Sequence, residues 1–297
     1  MSDKKDEPLP KLRMAPLETP EELSHRLERE ERARHVQRED RLSECLAPFR
    51  VGSVPYLNAA PLVRGIEDQV IRVVPSELAR MLAAEELDAA LVSLAEVVLQ
   101  YRYDVLDGVG IGSLGEVQSV LLLHKRPIAE IQEVYCDPAS ISGFNLMRVL
   151  LAERGARPEF KPLSGGASEP LPDCALLIGD RALDYFTGSH THEIFDLGSA
   201  WFELTGLPFT FAVWALRRGI ENASLRRQLR EARDFGMDTI DSIIRDRTEY
   251  TMDFRRDYLT WHIHYHLGAD EKRGIAEFVR LLNKHGFGPA QTPHFVA

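Results

Sequence analysis

Several features that define common protein classes are scarce or missing in this sequence. It has only three cysteines, Cys45, Cys136 and Cys174, which are odd in number, widely spaced and without a C-x-x-C pair. This pattern argues against a disulfide framework or a zinc ribbon, and reduced thiols in a cytoplasm fit it best. No apolar run is long enough to span a bilayer, and the N-terminus has no signal-peptide core. We therefore expect a cytoplasmic protein with no membrane partner.

Positive charge is also in deficit. The formal net charge of −10, from 36 basic against 46 acidic residues, argues against a nucleic-acid partner. A G-x-S-x-G elbow, a P-loop and a G-x-G-x-x-G turn are all absent, so acyl hydrolysis and nucleotide chemistry find no support. What remains is a chain of 297 residues, 44% of them hydrophobic, which suits one large or two small domains.

Residues 1–48 differ in composition from the rest of the chain. They are dense in charges of both signs and almost free of aromatic residues. Thr19, Pro20 and Glu22 match a capping box with proline in the first turn, so a charged helix could run from about Pro20 to Cys45. We interpret the segment as a charged N-terminal extension, helical or disordered. An oligomerisation arm is the alternative, and the oligomeric state stays open.

From Arg50 onward, short apolar runs alternate with helical patterns, which predicts an α/β fold with a parallel sheet. The predicted strands are 50–54, 71–74, 88–92, 105–111, 117–125, 134–137, 175–178 and 209–217, with helices at 58–66, from Ser76, and at 143–154. The chain after the last strand is predicted to be helical at about 223–247, 252–267 and 270–285.

Two of these strands indicate a division into two lobes. Strands 117–125 and 209–217 are longer than the others and bracket a smaller α/β unit. We therefore predict a two-lobed fold in which they are adjacent hinge strands, with the C-terminal helices returning to lobe one. The predicted lobes are 49–122 with 212–297, and 123–211.

Small and polar residues recur where the predicted strands end. Ligands of parallel α/β sheets bind beyond those ends, where helix N-termini offer free N–H groups to carboxylates. A serine or asparagine before a helix usually only caps it, but several at successive strand ends favour a ligand cleft. The candidates are Ser53, Tyr56, Asn58, Ser93, Gln118, Ser119, Ser140, Ser142, Gly143, Gly179 and Asp180.

No functional metal is expected. His262, His264 and His266 alternate, and on a strand they would share one face like metal ligands. The segment is predicted to be helical, where only His262 and His266 align, so packing or surface roles are favoured. The histidines of the polar loop 190–193 lack a clear set of partners.

The segment V-G-S-V-P-Y-L-N-A-A-P-L at 51–62 resembles the opening signature of chorismate dehydratases, which begin the futalosine route to menaquinone. Segments 74–78, 87–93, 117–122, 177–180 and 205–214 fall where that family has similar segments. No single motif is diagnostic, but their order and spacing from about Arg50 to His285 are specific. The family fold resembles type II periplasmic binding proteins, in agreement with the two predicted lobes.

The resemblance implies a carbon–oxygen lyase that removes water from chorismate and gives 3-[(1-carboxyvinyl)oxy]benzoate. Aromatisation drives this reaction, so no cofactor is expected. The matched loops hold no obvious histidine or carboxylate base, so we expect the substrate's enolpyruvyl carboxylate to take the proton. Asn58 is expected to hold the leaving hydroxyl, and Ser119 and Ser93 to bind carboxylate or hydroxyl groups. The loop 140–143 is expected to hold the other carboxylate.

Two departures from the family pattern keep alternatives open. The N-terminal extension is unusual, and Ile141 stands where the family commonly has an arginine in a Ser-Arg-Thr-Ser type of loop. The first alternative is a cytoplasmic binding or sensing protein that kept the cleft and lost turnover. The second is the sister enzyme, 1,4-dihydroxy-6-naphthoate synthase, which shares the fold but opens with a different signature.

Overall fold

The computed structural model describes residues 48–164 and 170–297, Leu46, and three isolated positions of the extension, Ser24, Glu28 and Arg32. These three positions are helical. The rest of the helix predicted for residues 20–45 lies outside the described residues. The chain divides into two compact units, Met1–Arg41 and Leu42–Ala297. Leu46 is buried in the second unit, so the α/β fold begins before the predicted end of the extension at residue 48.

The second unit contains two β-sheets and the helices that cover them. Its strands are β1 (Val51–Ser53), β2 (Val70–Arg72), β3 (Ala89–Ser93), β4 (Tyr103–Ser113), β5 (Val120–His124), β6 (Glu133–Cys136), β7 (Glu159–Pro162), β8 (Cys174–Ile178), β9 (Glu193–Asp196), β10 (Phe209–Arg217) and β11 (His294–Val296). Its helices are α1 (Pro75–Ala83), α2 (Leu94–Gln100), α3 (Ile141–Glu153), α4 (Gly179–Thr187), α5 (Leu197–Thr205), α6 (Ala223–Asp238), α7 (Ile240–Asp246), α8 (Met252–Asp257) and α9 (Ala269–Lys284), with 3₁₀ turns at Leu57–Val63 and Ile128–Glu130 and a π turn at Tyr258–His262.

The first sheet has the strand order β11-β4-β10-β3-β1-β2. Strand β1 runs parallel to β2 and β3, whereas β10 runs antiparallel to its neighbours β3 and β4. All five residues of β3 are buried, as expected for a short apolar strand that is covered on both faces. The carboxyl ends of β1 and β3 therefore reach the same edge of the sheet.

The second sheet repeats this plan with the order β7-β6-β8-β5-β9. Strand β6 is parallel to β7 and β8, and β5 is antiparallel to β8 and β9. Both sheets are mixed, so the predicted parallel pairing is present together with antiparallel pairs. The antiparallel strands are β5 and β10, whose direction no apolar run can reveal.

The two predicted hinge strands are not adjacent, which corrects that part of the prediction. Strand β5 pairs only within the second sheet and β10 only within the first. The predicted lobe boundaries differ from sheet membership by three residues at each crossing, because 120–122 belong to the second sheet and 209–211 to the first. The division into lobes that move as separate bodies remains a prediction.

The chain crosses between the sheets at 114–119 and again through α5 and 206–208. The Asp196 carboxylate joins the crossings, because it accepts hydrogen bonds from the backbone N–H groups of Val117, Gln118 and Ser199 at 2.7–3.1 Å. A Cβ on Gly198 would lie 2.3 Å from the Gly115 carbonyl oxygen, so only glycine permits this close approach. The hinge is therefore a loop packed on a helix start.

The C-terminal helices return to the first sheet, as predicted. Helix α9 packs on β10, where Phe278 lies 5.0 Å from Phe209 between ring centroids, and α6 covers the 3₁₀ turn Leu57–Val63. The helix predicted at 223–247 is interrupted at Thr239, and the one predicted at 252–267 ends at His262. Among the described helices, none combines the length and apolarity that crossing a membrane requires.

Candidate active site

A cavity lies between the two sheets, at the ends of β1, β3 and β8 and at the start of α3. It holds about 630 Å³ of space free of protein atoms, its open mouth included. Eight of the eleven predicted site residues line it, namely Tyr56, Asn58, Ser93, Ser119, Ser140, Ser142, Gly143 and Gly179. The structure thus brings most of the predicted strand-end residues together.

Ser53 and Gln118 do not line the cavity, contrary to prediction. Ser53 is fully buried at the end of β1. The Gln118 amide nitrogen donates to the Glu116 carboxylate at 2.9 Å and lies 3.0 Å from Nε2 of His262. Gln118 adopts a positive φ of 60°, which turns the chain so that Ser119 faces the cavity while Gln118 faces away.

Asp180 also lies outside the cavity lining. It sits in the first turn of α4, and its Oδ1 is buried with no hydrogen-bond partner among the described residues. Burial raises the pKa of its carboxyl group. Beside it, the ring of Tyr56 packs so closely on Gly179 that a Cβ there would lie 2.9 Å from Cε1 of Tyr56. This contact joins the loop after β1 to the start of α4.

Asn58 and Ser119 both lie beside the hydroxyl group of Tyr258. The Asn58 amide nitrogen donates to that hydroxyl at 3.1 Å, and Ser119 is close enough to lower the pKa of the tyrosine. Oδ1 of Asn58 is buried and has no partner among the described residues. The tyrosine therefore sets which end of the amide is left for a ligand.

Tyr258 escaped the sequence analysis. It is 200 positions from Asn58 and lies in a segment predicted only as C-terminal helix packing. It is buried, and this burial raises the pKa of its hydroxyl well above the usual range, so the group stays protonated as a donor. No local sequence signal identifies it, since its role follows from a long-range contact.

Ser142 and Ser93 bridge the lobes through a shared hydrogen bond. Their hydroxyl oxygens are 2.6 Å apart, and that of Ser142 also donates to the Phe211 carbonyl at 2.9 Å and accepts the Ala95 N–H at 3.1 Å. The proton of Ser93 is thereby committed to Ser142. In this arrangement Ser93 accepts from a ligand hydroxyl, which is one of the two roles expected for it.

The cavity offers an anion backbone groups rather than basic side chains. Among the described lining residues there is no Lys, Arg, His, Asp, Glu or Cys. Ser140 and the first three residues of α3 line the cavity, and first-turn N–H groups of a helix lack partners within it. Ile141 is among them, so an apolar side chain occupies the position where the family commonly has arginine.

The residues that line the cavity also determine whether it can bind a metal ion or supply a base. The lining offers hydroxyl, amide and backbone groups, which form no metal-binding set of imidazole, thiolate or carboxylate ligands. Burial raises the pKa of Tyr56 to about 12, with Asp137 and Asp180 adding to the effect, so this hydroxyl is a poor base at neutral pH. Chemistry in the cavity must rely on hydrogen bonds and on the ligand's own groups.

The fold has relatives among solved structures. A crystal structure of a protein from Archaeoglobus fulgidus is 17% identical, with a TM-score of 0.64 over 80% of this chain and 98% of that one. The periplasmic aliphatic sulphonate binding protein of Escherichia coli is 11% identical, with a TM-score of 0.54 over 84% and 93%. The predicted periplasmic-binding-protein-like fold is confirmed.

Sequence comparison reaches further than the fold. Residues 49–284 match the family described as menaquinone biosynthesis. The chorismate dehydratase of Thermus thermophilus is 31% identical over 264 residues, which cover 80% of this chain and 96% of that protein. The resemblance carried by segment 51–62 is thereby confirmed. On the match over most of its length, the chain belongs to the menaquinone biosynthesis family.

Proposed function

We propose that this protein is a chorismate dehydratase, a hydro-lyase that converts chorismate into 3-[(1-carboxyvinyl)oxy]benzoate. One observation carries the proposal beyond family membership. The cavity between the lobes has no ionisable acid or base of ordinary pKa among its described lining residues, and it presents the fixed amide of Asn58. Such a site suits a reaction that the substrate's own carboxylate can drive.

The reaction breaks a carbon–hydrogen bond and a carbon–oxygen bond at two neighbouring carbons of the ring. The enolpyruvyl carboxylate removes the hydrogen from the carbon that bears the ether, and the neighbouring carbon loses its hydroxyl group. The proton is then delivered to the departing hydroxyl, so that water leaves and the ring becomes aromatic. No oxidant or reductant is required, and atoms balance as chorismate giving product and water.

Asn58 orients the hydroxyl that leaves. Its Oδ1, left free because the amide nitrogen donates to Tyr258, accepts a hydrogen bond from that hydroxyl. The hydroxyl oxygen then turns its lone pairs toward the incoming proton. This alignment is useful only as the carbon–oxygen bond breaks, so it lowers the barrier more than it strengthens binding.

Ser119 and the start of α3 hold the carboxylates. The Ser119 hydroxyl donates to the Val117 carbonyl only at 3.3 Å, a long bond that a ligand carboxylate can replace. Oγ of Ser140 is buried and unpaired within the described part of the chain. Together with the N–H groups of residues 141–143 it suits the second carboxylate. The apolar remainder of the lining excludes water and strengthens each hydrogen bond.

Incubation of the purified chain with chorismate tests the proposal. We expect 3-[(1-carboxyvinyl)oxy]benzoate to form without added metal or cofactor, identified by chromatography against the authentic compound. Chorismate that binds by calorimetry but is not consumed would instead support the non-catalytic binding protein. If the chain neither binds nor converts chorismate, the dehydratase and the binding protein are both contradicted. Formation of 1,4-dihydroxy-6-naphthoate from its own precursor would favour the sister enzyme.

The proposal includes the cytoplasm as the site of action. Cys136 and Cys174 are buried free thiols, which a reducing compartment preserves. The partner is a small molecule, and the acidic balance of the chain gives no support to nucleic-acid binding.

A further inference from the structure

Two histidines and a glutamate converge beside the start of α9. After the π turn the chain is extended, and His264 exchanges backbone hydrogen bonds with Gly112 of β4 at 2.8 and 2.9 Å. Alternate residues of an extended segment point to the same side. The rings of His264 and His266 accordingly stack, with centroids 5.4 Å apart. The helix predicted here would have separated them.

Glu271 completes the group from the neighbouring helix. It is 4% exposed in the first turn of α9, where Oε2 accepts the Gly268 N–H at 2.9 Å. This bond fixes the carboxylate, and Oε1 lies 3.0 Å from Nε2 of His266. His264 also offers a nitrogen for a ligand, because its Nδ1 is buried with no hydrogen-bond partner in the described part of the chain.

The geometry points to a structural binding site for a divalent transition-metal ion, Zn²⁺ by ligand preference, formed by His264, His266 and Glu271. One ligand atom from each residue lies within 4.8 Å of the other two. Ligand atoms about 2.0–2.1 Å from a tetrahedral zinc ion are about 3.4 Å from one another, so side-chain rotations that draw the three atoms together by up to about 1.4 Å complete the site. Two imidazoles and a carboxylate match zinc chemistry, and water can supply the fourth ligand.

The site is separate from the proposed reaction. None of the three residues lines the cavity between the lobes. A bound ion would instead join two elements, since His264 and His266 lie in the extended segment that pairs with β4, and Glu271 lies in the first turn of α9. Its effect is therefore expected on stability and not on the chemical step.

Zinc titration of the metal-free full-length protein tests this inference, with two matched variants. His266 is 60% exposed and 3.0 Å from a carboxylate oxygen of Glu271, whereas His294 is 63% exposed and 3.1 Å from one of Asp104. We expect one Zn²⁺ to bind the wild type and to raise its Tm. His266→Gln should weaken that binding by about tenfold or more and remove the Tm shift, and His294→Gln should leave both unchanged.

A second variant covers His264, the half-buried ligand. His264→Gln should lose the same zinc ion while keeping the wild-type circular dichroism spectrum. The inference is overturned if zinc affinity and Tm shift are the same in the wild type, His266→Gln and His264→Gln. It is equally overturned if His294→Gln loses as much as His266→Gln, because the ion would then bind exposed histidines without selection. Neither result bears on turnover of chorismate.

Discussion

Substitution of Asn58 is the clearest way to distinguish a role in catalysis from a role in stability, because the expected effects on kcat and on folding free energy differ in size. Asn58→Ala removes one hydrogen bond to Tyr258, which is worth about 0.5–1.5 kcal/mol of folding free energy. It also removes the acceptor for the departing hydroxyl, and a well-placed transition-state hydrogen bond is worth about a hundredfold in kcat, roughly 2.7 kcal/mol. We therefore expect kcat to fall on the order of a hundredfold, with KM nearly unchanged and a small loss of Tm.

The alternative role for Asn58 is helix capping. The structure disfavours it, because Asn58 lies inside the 3₁₀ turn whose N-cap is Tyr56, and no side-chain cap hydrogen bond is made there. Asn58→Asp separates the two roles further, since a carboxylate can neither donate to Tyr258 nor tolerate the nearby anionic substrate. We expect this variant to be inactive or nearly so.

Asn145→Ala is the matched control. Asn145 is buried and, like Asn58, donates through its amide, here to the Ile141 carbonyl at 2.9 Å, but it does not line the cavity. It should lose a similar amount of stability and keep its kcat. Steady-state kinetics with chorismate and thermal denaturation measure both quantities. A fully active Asn58→Asp, or an Asn58→Ala that is only less stable, would refute the reasoning.

Four further outcomes are expected. Ser119→Ala should mainly raise KM, because its hydroxyl is expected to bind a carboxylate that is present throughout the reaction; a pure kcat effect would contradict this. Gly179→Ala should weaken chorismate binding in calorimetry, since φ is +59° and the new Cβ would press on Tyr56; unchanged affinity would show that this contact is not needed. Burial lowers the pKa of His192, so the unfolded chain binds its proton more tightly and Tm should fall as pH drops below about 6.5; His192→Asn should flatten that dependence. Removing residues 1–41 should leave affinity for chorismate unchanged. If the truncated protein folds but binds chorismate more weakly, the extension belongs to the binding site.

Central strands could be predicted from the sequence, whereas three of the four edge strands could not. Strand β10 was predicted with its observed bounds, because it is a nine-residue apolar run paired on both sides. The strands that were missed, β7, β9 and β11, all lie at sheet edges and carry exposed or half-exposed residues. An edge strand needs no apolar alternation to hold its place, so the pattern that reveals a buried strand is missing there.

The candidate site divides in a similar way. Its strand-end residues could be found because parallel strands bring their carboxyl ends to one edge, and eight of the eleven line the cavity. What each hydroxyl donates to could not be predicted, because the partners come from distant segments. Ser142 bonds to Phe211, and Asp196 holds Val117 and Gln118. Sequence spacing carries no information about such contacts.

The position of β4 in its sheet has a consequence for how the chain acquires its structure during synthesis. Its only strand neighbours among the described residues are β10 and β11, which lie at Phe209–Arg217 and His294–Val296. Strands β5 to β9 come from one continuous stretch and can pair as soon as it has left the ribosome. The first sheet therefore begins to form before the second sheet but is completed after it. The loop that carries Ser119 directly follows β4, which can pair only after β10 has been synthesised. A protein truncated before residue 209 is expected to form the second sheet but to leave β4 unpaired, and its exposed edges should promote aggregation.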